Sequence, residues 1–241
     1  MSLPNNTRFL TTIKKSGAGK DRERKLSVIL LNGSPGYRMR SYGPQCLFKI
    51  NNNITVLDNQ IGIIKECYPN SEIIITLGFD AERVIKRGIK GVRYIENQLF
   101  ETTNIIEEIR LALNNCETED VLIIYGDIIF DKNAIDNITK YGSCIVCTGK
   151  SNINKDDIGA TIIDGKLTQL SYGLEPKWGY IFYLTGNELG VFRNICSNKE
   201  QSMIYPFEAI NMTLDRASTK IKAVQVVNSE IIKINSMKDV K

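Results

Sequence analysis

The 241-residue sequence contains no histidine. That absence removes the side chain that titrates near neutral pH, and with it Ser-His and Cys-His nucleophile pairs and any His-ligated zinc or haem. Carboxylates, lysines, arginines, hydroxyls, thiols and a bound metal are what is left for chemistry. Long apolar runs are missing too. No stretch approaches the ~20 residues that span a bilayer, and the opening residues hold no apolar segment of the signal-peptide kind. The expectation is a cytoplasmic protein with reduced thiols and no membrane partner. Cysteine is present but unpaired in pattern: only Cys144 and Cys147 form a C-x-x-C, inside the apolar run 143–147. A strand there points the two thiols to opposite faces, and no second pair exists to complete a zinc site. Core packing is the reading for both.

Hydrophobic residues at 42% and charged residues at 24% suit a folded chain with a sizeable core. The net charge of +4 hints at nucleic acid, but its placement argues otherwise. Arg8, Lys14, Lys15, Lys20, Arg22, Arg24 and Lys25 crowd the start against only Asp21 and Glu23. We read residues 1–25 as a disordered basic tail ahead of a single domain over 26–241, with no nucleic-acid partner.

Four short apolar runs, 26–31, 72–77, 92–95 and 121–125, read as buried strands. Helical spacing over 54–67 and 103–113, and a short helix over 81–87 capped by Asp80, alternate with them. Strand–helix alternation of this kind gives an α/β fold with a mainly parallel, Rossmann-like sheet flanked by helices. Beyond Cys147 the texture changes to short strands at 159–163, 167–170 and 180–184 joined by turns such as Asp164-Gly165. That predicts an antiparallel extension in the C-terminal half, followed by a helix over 206–214 and a strand-rich stretch over 224–234. Ligands of such sheets sit at the carboxyl edge of the strands.

The loop after the first strand, Gly33-Ser34-Pro35-Gly36-Tyr37-Arg38-Met39, carries the strongest chemical signal. Its glycines let backbone approach a ligand, its amides form an anion nest, and Arg38 is a fixed cation for phosphate oxygens. It has neither the P-loop nor the dinucleotide glycine spacing. Its continuation, through Pro44, Gln45, Leu47 and Ile50, resembles the signature of nucleotidyltransferases with a GT-A-like fold, Gly-x-Gly-x-Arg-Met and then Pro-Lys-x-Leu-x-x-Ile. Asn97-Gln98-Leu99-Phe100 through Asn104 is similar to the Asn-Pro-x-Tyr-x-x-x-Asn stretch of bacterial phosphocholine cytidylyltransferases. Gly126-Asp127 resembles the strand end whose aspartate binds magnesium, and residues 233–240 resemble a closing Glu-Ile-Asp-Thr-Pro-Glu-Asp-Leu. The match runs in order from about residue 26 to 240.

The resemblance implies transfer of a nucleotidyl group from an NTP, CTP favoured and UTP next, to a small phosphorylated acceptor, with release of pyrophosphate. It implies Mg²⁺ held by Asp127 and by residue 235, and a nucleotide contacted by Leu31, Asn32, Gly33, Ser34, Pro35, Gly36, Tyr37, Asn97, Thr103 and Asn104. Arg38, position 45 and Lys49 would be the catalytic set. A carboxylate at the end of a buried strand needs a compensating cation or helix dipole, which marks Asp127 independently of the family. Two positions depart from the pattern: the family's lysine is Gln45 and its second metal-binding aspartate is Asn235. Lys49, Arg40 or Lys177 are candidates for the missing charge. For the acceptor, Trp178 and Tyr180 lie in an aromatic segment with Tyr172, Phe182 and Tyr183 that suits a quaternary amine, although alternating Trp178, Tyr180 and Phe182 read first as core on one strand face; Glu208 falls where relatives carry an acid. The alternatives are a nucleotide-binding protein without catalysis, motivated by Gln45 and Asn235, and a GT-A glycosyltransferase, which needs an Asp-x-Asp absent at 126–129. A homodimer is compatible with all of these.

Overall fold

The computed structural model describes residues 25–34, 36–51, 53–116, 118–148, 153–216, 219–226 and 229–240; the basic segment 1–24 lies outside them. The four apolar runs form β1 (Leu26–Asn32), β2 (Glu72–Leu77), β3 (Arg93–Glu96) and β4 (Asp120–Tyr125). Every residue of β1 and β4 is buried, as expected of central strands covered on both faces. The crossovers carry α1 (Val56–Cys67), α2 (Ala81–Ile85) and α3 (Ile105–Asn114). Helix α1 opens with a reciprocal cap in which the Asp58 N–H donates to the Thr55 hydroxyl at 3.2 Å and the Thr55 N–H donates to the Asp58 carboxylate at 3.1 Å. Asn104 caps α3 by accepting from the Ile105 N–H at 2.8 Å. Asp80 precedes α2 with a left-handed backbone and makes no side-chain cap bond.

The second half supplies β5 (Ile128–Phe130), β6 (Cys144–Thr148), β7 (Ile158–Ile163), β8 (Lys166–Tyr172), β9 (Trp178–Thr185), α4 (Gly186–Ser197), α5 (Pro206–Leu214), β10 (Lys222–Val226) and β11 (Ile231–Lys233). Nine strands make one sheet in the order β3-β2-β1-β4-β9-β6-β10-β8-β7. Strand β9 runs antiparallel between β4 and β6, and β8 antiparallel between β10 and β7. The extension is not wholly antiparallel, because β6 and β10 pair in parallel. Cys144 and Cys147 are fully buried, and burial pushes both thiols up to about 12, far from the range where a thiolate forms.

Register decides where a ligand fits. Asn32 pairs with Leu77, and Leu31 pairs with Tyr125, so β1, β2 and β4 end on one edge. A small antiparallel ribbon of β5 and β11 then folds the C-terminal segment back over that edge, with Lys233 opposite Ile128. The Ile234 N–H closes the approach by donating to the Asp127 carbonyl at 2.8 Å.

Candidate active site

A cavity of about 980 Å³ opens at this edge, lined in part by Ser34, Gly36, Gln45, Asp127, Tyr172, Tyr180, Lys233 and Asn235. A recess of about 180 Å³ adjoins it, lined in part by Leu31, Asn32, Ile105, Glu108, Gly126 and Asp127. Ser34, Gln45, Asp127 and Lys233 line both, so the two spaces share a wall.

The recess is built by hydrogen bonds. Glu108, on the inward face of α3, is 3% exposed and accepts from the Gly33 N–H at 2.9 Å and the Thr76 hydroxyl at 2.8 Å. Burial raises its carboxyl to about 7, with the Asp127 charge adding to the rise and the two hydrogen bonds opposing it. Gly33 must be glycine here, since a Cβ would fall 2.5 Å from the Glu108 carboxyl carbon. Gly126 is equally constrained, because a Cβ would fall 1.9 Å from Asn32 Oδ1 and 2.6 Å from the Leu31 carbonyl oxygen. From α1, the buried Gln60 amide donates to the carbonyls of Tyr125 at 3.0 Å and Ile128 at 2.8 Å, bracketing the Gly126-Asp127 turn. Asn32 Nδ2 and Asp127 Oδ1 are buried and have no hydrogen-bond partner among the described residues. Orphaned groups of opposite type beside an open recess are what a polar ligand would satisfy.

The larger cavity has a charged wall. The Lys233 ammonium lies 3.7 Å from Asp127 Oδ2, 3.8 Å from the Tyr180 ring centre and 5.2 Å from that of Tyr125. Gln45 donates to the Ile234 carbonyl at 3.0 Å and its carboxamide packs on Gly36, whose φ of +52° favours glycine. It therefore ties the glycine loop to the C-terminal segment. Lys177 and Asp157 form a closed, largely buried ion pair at 2.8 Å.

The structure separates the residues singled out from sequence. Leu31, Asn32, Gly33, Ser34, Gly36, Gln45, Asp127, Tyr180 and Asn235 gather at the two spaces or their immediate frame. Pro35 lies outside the described residues, and Tyr37 and Arg38 continue the loop in a short 3-10 turn, Tyr37–Tyr42. Asn97, Thr103 and Asn104 are occupied with shape. The Asn97 amide donates to Thr103 Oγ1 at 3.0 Å, Thr103 donates to the Leu99 carbonyl at 2.8 Å, and Asn104 holds the helix start. None of the three lines the cavity or the recess. Lys49 is exposed and pairs its backbone with Thr55, while Arg40 is bound to Glu101 at 2.8 Å over the Phe79 ring. Trp178 is fully buried among Tyr125, Tyr180 and Phe182, because β9 is a central strand buried on both faces over 178–184; it lines neither space. Glu208 caps its own helix by accepting from the Tyr205 N–H at 2.7 Å. Lys233, Glu108 and Gln60 were missed. Glu108 had a signal, a carboxylate in the apolar stripe of Ile105, Ile109 and Ala112.

The donor set is a poor fit to the Mg²⁺ that the sequence resemblance implies. Asp127 and Asn235 offer one carboxylate and one neutral carboxamide, a set that leaves most of the six oxygens of a Mg²⁺ ion to water and substrate phosphates and holds the ion weakly without them. The described residues hold no cluster of three or more Asp, Glu, Cys or His. An ammonium already sits against the one carboxylate.

No protein-family model and no curated protein sequence matches the chain. Solved structures do. CTP:phosphocholine cytidylyltransferase from Streptococcus pneumoniae superposes with a TM-score of 0.76 at 17% identity, over 89% of this chain and 96% of its own. The chain has the nucleotidyltransferase fold. Inositol-1-phosphate CTP transferase from T. maritima matches with a TM-score of 0.68 at 15% identity, over 90% and 92% of the two chains. A UDP-glucose pyrophosphorylase complexed with UDP-glucose matches with 0.69 at 12% identity, over 90% and 96%. At these identities the likeness is one of fold. Among the described residues no helix is long and apolar enough to cross a membrane.

Proposed function

We propose that the protein is a nucleotidyltransferase that moves a nucleotidyl group from an NTP, CTP in the first instance, to a small phosphorylated acceptor. The observation that carries this reading is the paired space at the carboxyl edge: a recess with orphaned polar groups joined to a larger cavity that holds a lysine, beside a glycine loop. In this reading the nucleoside enters the recess and its phosphates lie in the larger cavity, where Lys233 meets them. The acceptor phosphate attacks the α-phosphorus and pyrophosphate leaves, a reaction that asks for positioning and neutralisation of charge and no histidine. Mg²⁺ enters with the triphosphate rather than as a resident of the protein.

The acceptor end favours a cationic headgroup such as choline. Tyr172, 52% exposed, lines the cavity and packs edge-on against Phe207 at 5.4 Å, with Tyr205 stacked on the same ring at 6.0 Å. Burial raises the Tyr172 phenol, and Tyr205, Glu208 and Asp156 add to the rise, so two aromatic faces and two carboxylates share a neighbourhood. This shelf, rather than Trp178, is the aromatic surface open to a ligand. The test is pyrophosphate release from each of the four common NTPs with phosphocholine and sugar 1-phosphates as acceptors. Turnover with CTP and phosphocholine is expected; no turnover with any pair, while an NTP still binds, supports the reading as a nucleotide-binding protein without catalysis, which the neutral Gln45 and Asn235 favour.

A further inference from the structure

We infer that the Lys233 ammonium is the fixed cation that meets the nucleotide's phosphates, in the place where a divalent ion would otherwise bridge Asp127 and residue 235. This rests on the nucleotidyltransferase reading and names one of its working parts. Three observations carry it, all independent of titration.

The first is that the hydrogen-bonding capacity of the ammonium is unspent. The Lys233 ammonium donates no hydrogen bond among the described residues, and its ion pair with Asp127 is open at 3.7 Å, beyond hydrogen-bond length. Lys177 shows the opposite habit, closed onto the cavity-lining Asp157 at 2.8 Å. One lysine is consumed by structure; the other keeps three N–H groups for something else.

The second is that the charge is aimed. The ammonium rests on the Tyr180 face at 3.8 Å and near the Tyr125 face at 5.2 Å, and the two rings lie 5.3 Å apart. Tyr180 reaches this pose with a φ of +58°, a costly conformation for a bulky residue, just where the β6–β9 register shifts between Ile145 and Cys147. Strand β9 also hugs β11: a Cβ on Gly179 would fall 2.7 Å from Ile231 Cδ1. A strained tyrosine under a lysine is a held geometry, and lysine otherwise wanders on its four-carbon stem.

The third is the donor set. A neutral Asn235 and a cation beside Asp127 together disfavour a dication and favour an anion. In the step itself, an ionised acceptor oxygen forms a bond to the α-phosphorus as the bond to the β-phosphate oxygen breaks. Pyrophosphate leaves with that electron pair, and no proton needs to move. Lys233 hydrogen-bonds the α-phosphate oxygens as charge gathers on them.

The experiment uses the full chain and its Lys233→Met, Lys233→Arg and Lys233→Glu/Asn235→Asp variants, with folding checked by circular dichroism. Mn²⁺ binding without nucleotide is read by electron paramagnetic resonance, and CTP binding by calorimetry in Mg²⁺ and in excess chelator. The wild type is expected to hold no stoichiometric Mn²⁺ and to lose less than about threefold in CTP affinity on chelation. Lys233→Met should weaken CTP binding in chelator by about tenfold or more, Lys233→Arg should restore most of it, and the double variant should bind Mn²⁺. A wild-type Mn²⁺ site abolished by Asp127→Asn overturns the inference, and so does equal CTP affinity in wild type and Lys233→Met. If no form binds any of the four NTPs in either buffer, the nucleotidyltransferase reading falls and takes the Lys233 role with it.

Discussion

The two walls of the site are built on different principles. On the side of β1, β2, α1 and α3, Asn32, Gly33, Thr76, Glu108 and Gln60 are locked by buried hydrogen bonds and close backbone approach. On the side of β9 and β11, Tyr180 and Lys233 are held by ring contacts and strain, and the Lys233 ammonium makes only an open ion pair. The first wall fixes shape; the second presents charge. Substitutions in the first should therefore appear as stability, and in the second as ligand affinity.

Gly126 is the seam between the walls and should give the largest effect. Gly126→Ala places a methyl against Asn32 and the Leu31 backbone, and we expect a loss of about 3 kcal/mol or more in urea unfolding. A loss within error would show the seam to be soft.

Glu108 sharpens the contrast through pH. Its folded carboxyl titrates at about 7 against an ordinary value of 4.5, so the folded state binds its proton more tightly than the unfolded chain does. Stability from this group is therefore full below the unfolded value and declines as pH rises to about 7, by about 3 kcal/mol in all. Glu108→Gln should remove that decline in unfolding curves taken between about pH 5 and about pH 8. An unchanged slope would mean the carboxyl is solvated.

Gln60→Leu strips donors from the Tyr125 and Ile128 carbonyls and should cost about 2 kcal/mol, with CTP affinity falling only as the Asp127 turn loosens. The smallest effect belongs to the acceptor shelf. Tyr172→Ala should raise the KM for phosphocholine about fivefold, the loss of one partly exposed cation–π contact, and cost in stability no more than its edge-on contact with Phe207. An equal rise for an uncharged sugar phosphate would remove the cationic headgroup from the account.

Legibility in sequence does not follow the walls: Asn32 and Gly33 of the first and Tyr180 of the second were named, whereas Glu108 and Gln60 of the first and Lys233 of the second were missed. Strand β2 and helix α5 run over 72–77 and 206–214 as the periodicity predicts, because one is a continuous apolar run and the other starts at a proline. Helix α4 has no counterpart among the elements read from sequence: it begins Gly186-Asn187 and contains Gly190, residues of low helix propensity, and its burial comes from tertiary packing of Leu189, Phe192 and Ile195. Gly33, Gly36 and Asp127 announce themselves by local spacing. Lys233 does not, since the rings that aim it come from β4 and β9 and the carboxylate beside it from a third position; only the fold brings them together. Trp178 failed in the other direction, because an aromatic-rich strand looks the same whether it faces a ligand or the core.

The most direct test of the central claim is calorimetric titration of the full chain with CTP, repeated on Asp127→Ala. The account predicts stoichiometric binding in the wild type and a loss of about tenfold or more in the variant, whose cavity has lost both the buried Oδ1 acceptor and the anchor for Lys233. An absence of heat with CTP, UTP, GTP and ATP alike would contradict it.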